Sequence, residues 1–457
     1  MEHQNERTIL EQAAHSIRKS VTVKIASIFI LMLLLMIPMS FIKSLIFERE
    51  MHRASVISEV SDKWANEQFV FGPILSVPVK EIQHFYGEKK EVLHLAHFLP
   101  GSLNINTDIN PQSLYRGIYE VVVYDSKISF SGNYEELEGF SDELDQYEVL
   151  WDKAYLTINV SDLRGIKEKV VVEWNGEKKS VEPGSSIPSL IKSGITVHDI
   201  LEENPGSSAL SFSFDLYLQG SQSLEFIPLG KETNVKLSSN WPDPSFSGSF
   251  LPDNRSVTEN GFEADYKVLE LNRNYPQFWI GNQNTESITK SSFGVDLLLP
   301  MNDYQKSMRS AKYALLAISL TFLTFFLVEI FNKKEVHPFQ YILIGLALCL
   351  FYTLLISISE HFDFNTAYIV SSIAVITMIG LYTKAILKNI FQTILLVLIL
   401  VITYAFVYIT LQVQDYALLI GSIGLTSILA LTMFITRKIE WYELGKSLTP
   451  LSKETTV

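Results

Sequence analysis

The sequence predicts a membrane protein with six transmembrane helices, one followed by five. A large β-rich domain of α+β, β-sandwich-like character is inserted between the first helix and the second. Three observations carry this. Ile25 to Ile42 is a run of 18 residues without a formal charge, and five comparable runs follow from Tyr313 onward, each near the length a bilayer core requires. Between them lies an ordinary polar chain in which apolar residues alternate, as in Leu210, Phe212, Phe214, Leu216 and Leu218, the period of a half-buried strand. The composition agrees, since 457 residues that are 47% hydrophobic, with mean hydropathy +0.18, are more apolar than a soluble chain of that length.

The first run is read as an uncleaved signal anchor over residues 25–46. It exceeds a typical signal-peptide core, and Pro38-Met39-Ser40-Phe41-Ile42-Lys43-Ser44 offers no small-x-small cleavage site. The pattern from Phe47 to Trp64 remains helical, with Met51, Val56, Ile57 and Val60 spaced near three and four, so the helix is expected to continue outward. The remaining spans are placed at 313–331, 341–358, 366–382, 390–411 and 416–435. This leaves residues 1–24 and 436–457 as tails and 47–308 as the β-rich domain.

Orientation follows from the flanking cations, because positively charged loops are retained in the cytoplasm. Arg7, Arg18, Lys19 and Lys24 precede the first span, Lys333 and Lys334 follow the second, Lys384 and Lys388 separate the fourth from the fifth, and Arg437 and Lys438 follow the sixth. All fall on one side. The two short loops on the other, from Glu360 to Asn365 and from Gln412 to Asp415, contain no Lys or Arg. Both chain ends are therefore expected in the cytoplasm and the large domain on the opposite side of the membrane. Lys43, Lys306, Arg309 and Lys312 lie on the opposite side, where long cationic stems reach the interface and a large domain translocates largely regardless of charge.

Within the large domain, further strands are expected around Phe69–Val79, Gly117–Tyr124, Tyr155–Val160, Val170–Trp174, Phe262–Leu271 and Phe293–Leu299. Trp174-Asn175-Gly176-Glu177 suits a primed hairpin turn, and Pro242-Asp243-Pro244-Ser245 is expected to break regular structure. From Glu48 to Met308 there are 39 acidic and 22 basic residues, a net of −17 against −13 for the whole chain. Such a surface repels phosphates, which argues against nucleic acid as a partner. The expected partners are the lipid bilayer and another envelope component.

The search for chemistry yields little. The single cysteine, Cys349, lies in an apolar run and excludes an intrachain disulfide. His94 and His97 are three apart, which on a strand puts them on opposite faces and disfavours joint metal ligation. The acidic stretch Glu135 to Glu148 lacks the spacing of a calcium loop and reads as a solvated face. Gly421-Ser422-Ile423-Gly424 reads as small-residue packing within a membrane helix. No catalytic, cofactor-binding or metal-binding residues are assigned, and no cofactor is implied.

One ionisable residue stands inside a span and calls for a functional hypothesis, because burying its charge is costly. This is Glu329, within a turn of its helix end and four residues before Lys333, an expected interfacial pair. Glu360, His361 and Asp363 cluster in the opposite short loop, as helix caps, a docking point or a pH sensor, with capping or docking preferred.

The chain resembles the CreD family of bacterial inner-membrane, cell-envelope-integrity proteins over nearly its whole length. The resemblance rests on Phe71-Gly72-Pro73-Ile74-Leu75-Ser76-Val77-Pro78, on Arg116-Gly117-Ile118-Tyr119-Glu120-Val121-Val122-Val123-Tyr124, and on Trp241-Pro242 with Phe246, Gly248, Phe250, Leu251 and Pro252. In the spans it rests on Lys312-Tyr313-Ala314-Leu315-Leu316, His337-Pro338-Phe339-Gln340-Tyr341, Ser359-Glu360-His361, Asp415-Tyr416-Ala417-Leu418-Leu419 and Thr436-Arg437-Lys438-Ile439-Glu440-Trp441-Tyr442. It implies a role in envelope integrity, altered tolerance of a colicin, and a two-component response linked to β-lactam exposure. It implies no catalytic residues. The motifs holding Glu329, His337, Glu360 and His361 are the candidate functional positions. The preferred reading is a non-enzymatic envelope protein acting through its periplasmic domain. A small-molecule or lipid transporter using the C-terminal spans is the alternative, and a membrane-embedded enzyme the third.

Overall fold

The structure, a computed structural model, describes residues 21–85, 88–135, 137–187, 190–206, 208–297, 303–332, 336–413 and 416–437. The chain divides into two compact units, one built from residues 53–300 and one from 1–52 together with 301–457. Arg7, Arg18, Lys19, Lys333, Lys334, Asp415 and Lys438, used above for orientation, lie outside the described residues.

In the unit of residues 53–300, chain alternation becomes two sheets around one core. The first sheet has the order β14 (Pro244–Gly248), β18 (Phe293–Leu297), β12 (Ser223–Phe226), β1 (Gln68–Phe85), β6 (Tyr155–Val160), β10 (Gly194–Val197), β9 (Glu182–Pro183). Off this path, β2 (Glu88–Phe98) and β5 (Glu148–Val149) pair with β1, and β17 (Phe278–Ile280) pairs with β2. The second sheet runs β15 (Asn254–Thr258), β16 (Gly261–Leu269), β13 (Glu232–Ser239), β3 (Ser102–Arg116), β4 (Tyr119–Tyr134), β11 (Leu210–Ser221), β7 (Val171–Trp174), β8 (Glu177–Ser180). Two pairs, β1 with β12 and β3 with β13, are parallel.

The alternating residues of β11 mark the core face. Phe212, Phe214, Leu216 and Leu218 are buried, with Phe130 of β4 stacked on Phe214 at 4.7 Å between ring centres, an offset contact aromatic pairs favour. From the first sheet, Phe71, Leu75, Leu156, Leu224, Phe226 and Phe293 join the same cluster. The Phe71-Gly72-Pro73-Ile74 motif lies where the register of β1 against β6 shifts. Gly72 has φ +128 there, and a side chain would press on Ile158 backbone. Tyr134 fixes the site by donating to the Pro73 carbonyl at 2.8 Å.

The expected hairpin at Asn175-Gly176 forms between β7 and β8, with φ +48 and +82 at its two central residues, as a primed turn requires. Around Gly117–Tyr124 the strand begins only at Tyr119, because Gly117, with φ +63, belongs to the turn joining β3 to β4. The expectation that Pro242 to Ser245 breaks all regular structure is corrected at Pro244 and Ser245, which open β14. β14 is an edge strand paired on one side only, so the N–H that proline lacks costs no ladder bond. In the acidic stretch, Glu135, Glu143, Asp145 and Glu148 are exposed; Glu136, Glu138 and Asp142 have undescribed side chains.

The other unit is helical. α1 (Val21–Trp64), a continuous helix of 44 residues that carries Pro38 within it, contributes its residues through His52 to this unit. A stripe of Leu31, Leu35, Met39, Ile42 and Ile46 is buried, while Phe29, Ile30, Leu33, Leu34, Ile37 and Phe41 stay exposed. That is the spacing of a helix packed along one seam with apolar residues left for lipid. α2 (Asp303–Lys312) and α3 (Ala314–Asn332) meet at a bend of 40° at Tyr313. α4 (Pro338–Ser359), α5 (Phe364–Leu387), α6 (Ile390–Gln412) and α7 (Ala417–Thr436) complete the unit. Five helices are long and apolar enough to cross a membrane, or six if the bent pair counts as one span.

Gly345 of α4 is where α1 closes in, since a Cβ there would meet the Leu35 side chain. Phe351, Tyr352, Tyr368 and Tyr404 knit α4, α5 and α6, and Tyr368 donates to the Tyr404 carbonyl at 2.9 Å. None of the residues in the apolar window of α7 is buried. Of its two glycines, Gly424 lies against Phe406, as small-residue packing requires, whereas Gly421 faces open space.

Candidate functional site

Glu329 sits near the end of α3 with only 5% of its surface exposed. Such a carboxylate persists in an apolar bundle only if donors converge on it. Three do. Its Oε1 accepts from Lys24 Nζ of α1 at 2.7 Å and from the Val336 N–H at 3.2 Å, and its Oε2 accepts from the Tyr341 hydroxyl of α4 at 3.1 Å. Charge-assisted bonds of this kind are stronger than neutral ones. The carboxylate thus joins α1, α3 and α4 at one point. The expected partner, Lys333, lies outside the described residues; the ion pair described is with Lys24, 305 positions away.

His337 enters the same locality as the N-cap of α4. Its Nδ1 accepts from the Phe339 N–H at 3.2 Å, and Gln340 Oε1 accepts from the His337 N–H at 3.0 Å, a reciprocal capping box. Pro338 follows at the first helical position, where its fixed φ suits the helix and its missing N–H costs nothing. Val23, Lys24, Ile28, Leu31, His337 and Tyr341 line a cleft of about 330 Å³ beside this node.

Glu360 and His361 occupy the end of α4 at its other terminus. Glu360 lies 3.6 Å from Arg49 Nε of α1 and accepts from the Tyr304 hydroxyl of α2 at 3.4 Å, a weak bond by its length. His361 is exposed. Asp363 caps α5, its Oδ2 accepting from the Thr366 N–H at 3.0 Å and its Oδ1 from the Thr366 hydroxyl at 2.7 Å; these bonds hold its carboxyl below the usual range. Within the loop, Asp363 caps a helix and Glu360 ties neighbouring helices together. Glu329 with His337 and Glu360 with His361 lie at opposite ends of α4, so the four candidates form two places rather than one site.

Both histidines of β2 have protein partners. His94 Nε2 lies 3.2 Å from Glu81 Oε2, while His97 is buried, 2.8 Å from Ser76 Oγ through Nδ1 and 5.1 Å from the Trp279 ring centre. Burial pushes the His97 ring down to about 4. Among the described residues no group of three or more His, Cys, Asp or Glu could hold a metal ion. Sequence reasoning missed Lys24 and Tyr341 as partners of Glu329. The available signal was that a lone carboxylate inside a span requires donors, and Lys24 stands at the start of the first apolar run.

Apolar helices of membrane-crossing length, together with a two-sheet β-rich unit, define a multi-pass membrane protein with a large β-rich domain. The chain belongs to the CreD family: the family described as inner membrane protein CreD matches residues 20–442. It is 34% identical over 438 residues to the inner membrane protein CreD of Escherichia coli (strain K12), covering 95% of this chain and 96% of that protein. Among solved structures, the M1 zinc metallopeptidase from Deinococcus radiodurans is matched at 10% identity over 40% of this chain and 42% of that one, with a TM-score of 0.18. A likeness that low carries no argument about fold or chemistry.

Proposed function

We propose that this inner-membrane protein is a non-enzymatic component that supports envelope integrity. Its acidic β-rich unit stands in the periplasm and contacts another envelope component, and its helices anchor or transmit that contact. Envelope stress and colicin tolerance are the phenotypes in which the contact would be felt. The observation that carries the reading is the charge inventory of the helices. α4, α6 and α7 contain no charged residue, α5 only Lys384 in its last turn, and Glu329, the one buried carboxylate among the described residues, has three donors occupied. A transport path through lipid ordinarily carries ionisable groups facing a cavity. Sidedness is supported by Lys24, Lys384, Lys388 and Arg437 at helix ends on one side, against Glu360, His361 and Asp363 in the loop at the other.

Cys349 is the only cysteine in the sequence and is buried, so a second cysteine can be labelled selectively. Leu271, 88% exposed, is changed to cysteine and treated in intact cells with a membrane-impermeant maleimide. Labelling without lysis is expected; labelling only after lysis refutes the placement. Crosslinking from the same position is expected to capture one recurrent envelope protein, and loss of both capture and envelope phenotype on surface substitution supports the contact. Should Glu329→Gln abolish the phenotype in a folded, inserted protein while surface changes do nothing, the transporter alternative replaces this reading.

A further inference from the structure

The cleft beside Glu329 is lined by polar and apolar side chains together. Lys24 has three ammonium hydrogens, one directed to Glu329, and its side chain remains 31% exposed. His337 accepts the Phe339 N–H through Nδ1, which assigns the ring proton to Nε2 and leaves that N–H as a donor. Lys24 and His337 line the same cleft. The Glu329 carboxylate, buried and occupied by its own donors, does not compete for these hydrogens. Ile28 and Leu31, about one and two turns beyond Lys24 on α1, line the cleft as well and belong to the uncharged run that starts at Ile25.

Two donors at the beginning of a hydrocarbon-length run, with an apolar trough leading inward, reproduce the layout of a phospholipid at the interface. The cleft, about 330 Å³, equals roughly ten water volumes, enough for a phosphoglycerol group and the first methylenes of a chain. A free phosphate ion would use the donors but gain nothing from Ile28 and Leu31. We propose that this cleft binds one membrane phospholipid, its phosphodiester held by Lys24 Nζ and His337 Nε2–H and an acyl chain lying along Ile28 and Leu31. Bound there, the lipid fills the seam between α1 and α4 next to the carboxylate that ties them.

The test uses the full-length protein in vesicles of phosphatidylethanolamine and phosphatidylglycerol containing a phosphatidylglycerol with a diazirine near the start of one chain. After illumination, adducts are mapped by peptide mass spectrometry. They should concentrate on residues 23–31 and 336–341 rather than follow lipid exposure. His337→Asp keeps an N-cap acceptor while replacing the donor with a carboxylate. It should reduce those adducts about tenfold, the factor carried by roughly 1.4 kcal/mol, and leave adducts on α7 unchanged. Ile28→Trp, which fills the trough without touching the cap, should give the same loss should the first variant misfold. Adducts as frequent on α7 as in the cleft, equal labelling of wild type and Ile28→Trp, or loss of labelling on adding millimolar inorganic phosphate each overturn the proposal, the last by assigning the donors to a soluble anion.

Discussion

Acid should loosen the β-rich unit through one residue above others. His97, 1% exposed, has Ser76 Oγ on Nδ1 and the Trp279 ring against its face, so it is folded in its neutral form, and burial lowers it from 6.5 to about 4. Above 6.5 the ring is neutral in both the folded and the unfolded chain, and its contribution is fully present. Below 6.5 the unfolded chain takes up a proton that the folded chain refuses, so stability falls until the pH reaches about 4. A shift of that size corresponds to about 3 kcal/mol, at 1.36 kcal/mol per pH unit. His97→Asn keeps a partner for Ser76 and removes the titration, while costing about 2 kcal/mol at neutral pH from the lost ring volume. Urea unfolding of the full-length protein, followed by tryptophan fluorescence, measures the difference. Five of the six tryptophans, Trp279 among them, lie between residues 53 and 300, so the signal reports this unit. Comparing variant with wild type at each pH cancels the carboxylates common to both. The gap of about 2 kcal/mol near neutrality should close and reverse by about pH 4. Parallel stability curves would refute the assignment of a neutral, desolvated ring.

Three further outcomes follow from the packing. Glu329→Ala leaves the Tyr341 hydroxyl and the Val336 N–H without their acceptor and should lower the unfolding midpoint in detergent by the equivalent of about 3 kcal/mol, with Glu329→Gln recovering part of it. Gly345→Leu drives a side chain into Leu35; it should cost about 2 kcal/mol and release α1 from the bundle, seen as faster protease cleavage near residue 24. Gly132→Ala places a methyl against the Ser102 carbonyl and the Phe212 ring, whereas Gly176→Ala meets open space and pays only for its left-handed turn. The first should therefore depress thermal stability several times more than the second, which should lose about 1 kcal/mol.

Much of this architecture is legible from the period of the sequence. The continuation of α1 through Trp64, the strand faces of β11 and the Asn175-Gly176 turn all follow from local spacing, because side-chain direction repeats with the backbone. Pairing is another matter. Alternation in β1 states which residues are buried but not that its neighbours are β12 and β6, since an edge carries no side-chain signal naming its partner. Pro244 misleads for the same reason: the edge position that makes proline harmless is a property of the sheet. The break at Tyr313 likewise has no glycine or proline to announce it. At the candidate site, a buried Glu329 was visible from hydropathy. Its partner Lys24 was not, because an ion pair closed across some 300 residues depends on helix packing rather than on helical spacing.

The order in which the two sheets are filled bears on how the protein is made. β1 takes its parallel partner from residues 224–226, and that partner is in turn flanked by a strand at 293–297; β3 waits similarly for residues 232–239. No early stretch of chain can close a core of its own while the ribosome is still working. Nearly the whole unit must emerge before its aromatic interior is sealed, and pairings between such distant segments form slowly. During that interval the nascent chain carries exposed strand edges and needs protection from its neighbours. A premature stop anywhere before Phe293 should yield degradation fodder rather than a smaller working domain.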